Sequence, residues 1–202
     1  VTINFLTGAG NETTNVNASA VNTLACNKPA NVADGDVLVA QVMAQTAMTT
    51  AGHTITGPTG WSLASATYPD DTRRPTLVFV KAIPSASAET ATSYAFQTSP
   101  GTETGRWGIK INRVTGVDNT TPVDAASAYG ANTVSGPVTI PGLTTVTNNA
   151  VLLAVIHLTG TQAQSPPVVT DPSGWTRYTS MLETTPGATG SDDSLVSLIK
   201  TL

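Results

Sequence analysis

Along this chain apolar residues either alternate with Thr, Ser, Asn and Lys or gather into short unbroken runs. Leu77 and Phe79 oppose Val78 and Val80, Tyr94 and Phe96 flank Ala95, and Ile109 and Ile111 flank Lys110. A period of two sends successive side chains to opposite faces of a strand. No segment keeps a helical apolar period over several turns without Gly, Pro or a β-branched cluster interrupting it. The pattern predicts strands near 2–6, 20–26, 36–44, 61–68, 76–83, 92–98 and 106–115, then 136–140, 150–158, 174–182 and 194–201. Val151 to Ile156 is apolar throughout, which suits a central strand covered on both faces. The connections, such as Asn31–Asp36, Tyr68–Asp71, Ser99–Gly101 and Thr185–Gly187, are rich in Gly, Pro, Asn and Asp, the residues of tight turns. Short strands with turns this frequent imply an all-β protein, an antiparallel β-sandwich of jelly-roll-like or immunoglobulin-like type.

The pattern also repeats. Val37–Val42 is followed by Thr56-Gly57-Pro58-Thr59-Gly60-Trp61, and Val151–Ile156 by Thr170-Asp171-Pro172-Ser173-Gly174-Trp175. Both copies hold the same spacing, an offset of 114 (151 − 37 and 175 − 61). Val32-Ala33-Asp34-Gly35 aligns with Val146-Thr147-Asn148-Asn149 at that offset, and Leu77–Lys81 aligns with Val196–Lys200 at an offset of 119 (196 − 77). The chain therefore reads as a single sandwich unit, 1–202, built by internal duplication from repeats of about 1–115 and 116–202. Gly60, Trp61, Gly174 and Trp175 are its repeated corners. After Lys81 the first repeat continues through two more strands; after Lys200 only Thr201 and Leu202 follow. The expectation is that further chain, or another polypeptide, supplies the missing last strands, because an open sheet edge invites pairing.

Composition narrows the function. Only 11% of the 202 residues are charged, well under the usual quarter, with Thr and Ser taking the outer strand positions. A net charge of −4 and no basic cluster beyond Arg73-Arg74 argue against nucleic acid and against anionic membranes. Cys26 is the sole cysteine, which excludes an intrachain disulfide, and its strand setting reads as an inert buried thiol. The N-terminus lacks a basic and apolar leader, and no run is long enough for a membrane helix. The expectation is a protein soluble as made, or exported without a Sec-type leader.

Candidate chemistry is sparse. His157 ends an apolar run and His53 lies in a Thr/Gly-rich loop, with no metal-ligand spacing around either. Asp70-Asp71 and Asp192-Asp193 occupy matching loops; turn chemistry is one reading and a Ca²⁺ or glycan contact the other. Asp118–Asp124 reads as a connector with Asx turns. Glu89, Glu103 and Glu183 are scattered, with nothing to pair two of them across a cleft as a glycosidase needs. Trp61 and Trp175 read as rings folded over the sandwich edge, whereas Trp107 and Tyr129 are candidates for exposed aromatics, Trp107 for glycan contact. The expectation is no catalytic residues, no cofactor and no resident metal.

Asn27-Lys28-Pro29-Ala30-Asn31-Val32-Ala33-Asp34-Gly35-Asp36-Val37-Leu38-Val39-Ala40, followed by Gly57-Pro58-Thr59-Gly60-Trp61-Ser62-Leu63, resembles a β-sandwich domain of tailed-bacteriophage minor tail and virion surface proteins. Arg113–Asp118 with Pro122–Ala125 resembles the mid-domain connector of that group, and Asp171–Thr176 its second turn. The resemblance covers most of the chain and departs from the group at the C-terminus. It implies a non-enzymatic virion protein, a minor tail or capsid-decoration component, whose partners are other virion proteins and further copies of itself. A carbohydrate-binding or adhesin module recognising a host-surface glycan is the alternative, and a glycan-cleaving enzyme a third reading.

Overall fold

A computed structural model of the protein describes residues 2–17, 19–44, 54–67, 75–99, 101, 104–125, 127–128, 139–147, 149–159, 170–182 and 193–202. The described residues form twelve strands: β1 (Asn4–Phe5), β2 (Glu12–Val16), β3 (Thr23–Asn27), β4 (Asp36–Ala44), β5 (Thr54–Thr56), β6 (Ser62–Thr67), β7 (Thr76–Ile83), β8 (Ser93–Ser99), β9 (Trp107–Thr115), β10 (Val151–Thr159), β11 (Thr176–Leu182) and β12 (Asp193–Thr201). All named pairings are antiparallel. The fold is an all-β antiparallel sandwich, as the alternation predicts. The bounds of β4 and β7 are those read from the sequence.

The sandwich has three layers. The middle sheet runs β1-β9-β4-β7-β6, with β2 also on β9; β3-β8-β5 covers one face, and β10-β12-β11 the other. Strand alternation explains how one sheet serves two cores. Leu38, Ala40, Val42, Leu77, Phe79, Ile109 and Ile111 point toward Leu24, Cys26, Ile55, Tyr94 and Phe96 and form the larger core. The opposite parity, Val37, Val39, Val80 and Val114, packs with Leu153 of β10, and Met43 packs with Leu195 of β12 and Val155 of β10. Every residue of β4 is buried.

Two expectations are corrected here. β10, read as a central strand covered on both faces, stands at the end of its sheet order, and residues 151–157 are only half-buried. The doubly covered strand is β4, whose sequence admits a polar Gln41 because that side chain finds partners inside. Residues 139 and 140 of the expected strand 136–140 are not in a strand, and 136–138 lie outside the described residues.

β2 and β5 carry too little apolar periodicity to be read from sequence. β2 is held instead by polar side chains: Thr13 Oγ1 donates to the Asn27 carbonyl and Asn15 Nδ2 to the Ala25 carbonyl, tying it to β3 as its backbone pairs with β9.

The N-terminal trio β4-β7-β6 and the C-terminal trio β10-β12-β11 share their registers. Val37↔Ala82 and Leu38↔Lys81 correspond to Val151↔Thr201 and Leu152↔Lys200 at offsets of 114 (151 − 37) and 119 (201 − 82). Ser62↔Val80 corresponds to Thr176↔Ile199 in the same way. Each trio interrupts its outer pairing at one place, between Leu63 and Ser65 in β6 and between Arg177 and Thr179 in β11. The left-handed positions correspond too: Gly35 and Asn149 have φ of 83° and 66°, and Gly60 and Gly174 have 84° and 80°. Asn tolerates that region better than other side-chain-bearing residues.

Phe96 lies against both Trp61 and Phe79, with ring centroids 5.4 and 5.3 Å away. Phe96→Ala is expected to cost about 3–5 kcal/mol in chemical denaturation. Leu63→Ala, at a side chain 51% exposed, should change stability by less than about 0.5 kcal/mol.

Candidate functional site

The repeated corners are turns of one kind. The Trp61 amide donates to the Pro58 carbonyl at 3.1 Å, and the Trp175 amide to the Pro172 carbonyl at 3.1 Å. With a left-handed glycine third in each four-residue turn, both have the type II pattern. At the first corner a Cβ on Gly57 would stand 3.0 Å from Trp61 Cβ and 3.1 Å from Phe79 Cδ1, so a side chain there would require those neighbours to give way. The turn lays the Trp61 ring edge-on against Tyr94, 5.0 Å between centroids. Lys81 Nζ sits 5.4 Å over the Tyr94 ring and 2.9 Å from the Glu89 carboxylate, and Lys28 Nζ donates to the Glu89 carbonyl at 2.6 Å. Burial pushes the Tyr94 hydroxyl up, and the Glu89 charge adds to it. Trp61 is therefore a core ring, and the ion pair's lysine lies over the Tyr94 ring it packs against. Trp175 is half-buried at the equivalent corner.

A second cluster lies between the middle and C-terminal sheets. Ser197 Oγ donates to Gln41 Oε1, Gln41 Nε2 to Asn112 Oδ1 at 3.3 Å, and Asn112 Nδ2 to Glu12 Oε2 at 3.0 Å. Lys110 Nζ is 3.0 Å from the same Glu12 oxygen. Gln41, Asn112 and Ser197 are wholly buried, and Lys110 is nearly so. Tyr178 of β11 reaches across to donate to the Leu6 carbonyl, its ring edge-on to Phe5. Burial and then the Glu12 charge raise its hydroxyl pKa. Farther along β9, Arg113 grips Asp36 with Nε–Oδ2 at 2.7 Å and Nη2–Oδ1 at 3.2 Å, while Nη1 donates to Asn11. Such a chain of buried bonds fixes one lateral placement of sheet on sheet, because a slip would strand donors without water.

This belt is what the sequence reading missed. Lys110 and Asn112, alternating with Ile109 and Ile111, look like a solvent-facing parity, but a third layer covers them. Gln41 in the midst of apolar β4 was the one available signal.

The candidate residues divide as follows. Trp107, expected as an exposed glycan contact, is instead fully buried in the larger core, its Nε1 donating to the Val21 carbonyl at 2.9 Å. A surface role for it is withdrawn. Cys26 is buried as expected, and desolvation raises its thiol pKa. His157 falls within β10 rather than at its end, with Nδ1 3.2 Å from Thr76 Oγ1. Asp193 begins β12 opposite Thr159. Asp70, Asp71, Asp192, His53, Arg73, Arg74, Tyr129, Glu103 and Glu183 lie outside the described residues. Among the described residues no three His, Cys, Asp or Glu side chains gather where they could share a metal ion. Among the described residues no helix is long and apolar enough to cross a membrane, which leaves membrane-spanning strands unaddressed.

The connector behaves as its sequence implies. Asp118 accepts from the Thr120 amide at 2.8 Å and the Thr121 hydroxyl at 3.0 Å. Asp124 accepts from the Thr147 hydroxyl and amide and from the Val146 amide, pinning the approach to β10. These bonds hold both carboxyls below the usual range.

Comparisons with protein-family models, with curated proteins and with solved structures find no match to this chain.

The Asp124 contacts carry a pH signature. Its folded-state pKa is depressed, chiefly by the Thr147 hydroxyl and then the Val146 amide. The contribution is therefore full above the ordinary Asp pKa of about 3.9 and is lost as pH falls through the lower folded value. The Val146 and Thr147 amide proton shifts should titrate with a midpoint below about 3.9 and stop titrating in Asp124→Asn. A midpoint at or above that value contradicts the assignment.

Proposed function

We propose that this protein is a non-enzymatic structural component of a tailed-bacteriophage virion, a minor tail or capsid-surface protein. It is built as a duplicated β scaffold, made in the host cytoplasm and carried on the particle, and it acts through contacts with other virion proteins and further copies of itself. The observation that carries this reading is the shared register of the two strand trios, down to the interrupted pairing and the left-handed corners. Duplication of a sheet multiplies surface without adding chemistry. The described charged and hydrogen-bonding side chains fit this: Asp36, Arg113, Glu12, Lys110, Lys81 and Glu89 each hold one element against another. The likeness of the Asn27–Ala40, Gly57–Leu63 and Arg113–Asp118 segments to virion β-sandwich domains supplies the setting.

The glycan-binding alternative keeps one described aromatic, half-buried Trp175, beside the Asp171–Arg177 pair at 2.8 Å. Trp61 and Trp107, inside the core, are unavailable to it.

Quantitative mass spectrometry of gradient-purified particles is the test. The expected outcome is co-sedimentation of the full chain at a fixed copy number that is a multiple of three, unchanged by competing surface glycans. Absence from particles, or turnover of any glycan by the purified protein, overturns the proposal.

A further inference from the structure

Lys110 and Asn112 stand two residues apart on β9, so their side chains leave the same face of the strand. That face looks toward the C-terminal sheet, because the alternating Ile109 and Ile111 belong to the larger core on the other side. The flanking strands bring two more groups to the same place. Glu12 of β2 is in register with Asn112, and Gln41 of β4 with Lys110. Glu12 Oε2 is 3.0 Å from Lys110 Nζ and 3.0 Å from Asn112 Nδ2. One carboxylate oxygen thus touches both an amine and the nitrogen of a primary amide. Gln41 Nε2 donates to Asn112 Oδ1 at 3.3 Å, and Ser197 Oγ of β12 holds Gln41 by its own Oε1.

A buried ion pair accounts for Lys110 and Glu12 but not for the amide placed between Glu12 and Gln41. Together the four side chains are the parts that acyl transfer to an amine requires. Lys110 is the nucleophile and the Asn112 amide the electrophile. Glu12 reaches both the attacking and the departing nitrogen, and Gln41 is a donor at the oxygen where charge develops. Asn112 and Gln41 are wholly buried and Lys110 nearly so. Moving a proton from the ammonium to Glu12 discharges both members of the pair where water solvates them poorly. The Glu12 side chain is 26% exposed, which leaves ammonia a way out. Gln41 is the weaker acyl donor, because its amide nitrogen faces Asn112 Oδ1 and not the carboxylate.

We propose that the Lys110 and Asn112 side chains join in an isopeptide bond that the folded chain makes by itself, with Glu12 as the proton carrier. Glu12 takes a proton from the Lys110 ammonium, and the freed lone pair on Nζ attacks Asn112 Cγ. The Gln41 amide steadies the negative charge that gathers on Oδ1. As the Cγ–Nδ2 bond breaks, Glu12 passes its proton to Nδ2 and receives one from Nζ. Ammonia departs and carries that last proton away as ammonium, so Glu12 is a carboxylate again. No oxidant or reductant takes part. The product replaces a buried ammonium with a neutral amide whose carbonyl still faces Gln41. The event occurs once per chain and is independent of the virion reading.

Mass spectrometry of the full chain, intact under denaturing conditions and after trypsin, is the test. The expected intact mass is one ammonia below that of the sequence. Trypsin should leave Lys110 uncut and release Trp107–Arg113 as a single peptide, itself one ammonia short, with fragmentation placing the link between residues 110 and 112. Glu12→Gln should restore the full sequence mass and cleavage after Lys110 while keeping a cooperative thermal transition. Lys110→Met, which removes the nucleophile, should restore the full mass of its own sequence. If either variant fails to fold, the tryptic map of the unaltered chain decides alone. A full sequence mass in the unaltered chain overturns the proposal. So does ammonia loss with Lys110 still cleaved, the mark of a succinimide at an asparagine, and so does a link from Lys110 to Gln41. A folded Glu12→Gln chain that still carries the link overturns the role given to Glu12.

Discussion

β4 has no solvent-facing side. Both parities of its nine residues are buried, and the rest of the structure follows from that. One parity requires β3-β8-β5 as a cover, and the other requires β10-β12-β11. An isolated sandwich of the N-terminal strands would leave Val37, Val39, Gln41, Met43 and Val80 facing water. At about 25 cal/mol per Å² of apolar surface, that exposure opposes the small net stability of a folded chain. The two halves are thus thermodynamically one object, even though the trios β4-β7-β6 and β10-β12-β11 share their registers.

The two interfaces are held by different means. The larger core is aromatic and aliphatic, with Trp61 edge to face against Tyr94 and Phe96, and Phe79 tilted against Phe96. Apolar packing of this kind is strong but indifferent to small lateral shifts. The second interface places a hydrogen-bonded chain, Ser197–Gln41–Asn112–Glu12–Lys110, among valines and methionine. Buried polar groups contribute little net stability when satisfied and are costly when displaced. The belt therefore sets alignment, while the surrounding Val, Leu and Met side chains supply the attraction.

What could be read from sequence was the local geometry. β4 and β7 were visible because apolar residues bounded by turn formers leave few alternatives, and the two Pro-x-Gly-Trp corners because Gly60 and Gly174 announce a left-handed third position. What escaped was anything set by layer count. Lys110 and Asn112 alternate with isoleucines in the way of a half-exposed strand, and no local feature says that a third sheet will cover them. Trp107 escapes for the same reason: it opens a strand next to a polar loop, yet its ring is buried in the larger core and its Nε1 bonds the Val21 carbonyl. β2 was invisible because its order comes from Thr13 and Asn15 bonding to a neighbouring backbone, and β5 because three residues carry no period.

The account stands or falls on β4 and its outer cover behaving as one cooperative body. Native-state amide exchange across increasing denaturant measures this directly, since it resolves the free energy at which each strand opens. The account predicts that amides of β4, β9 and β12 converge on a single opening event at the global unfolding free energy. If β10, β11 and β12 instead opened several kcal/mol below β4, with β4 still fully protected, the third layer would be an appendage and the account would be contradicted.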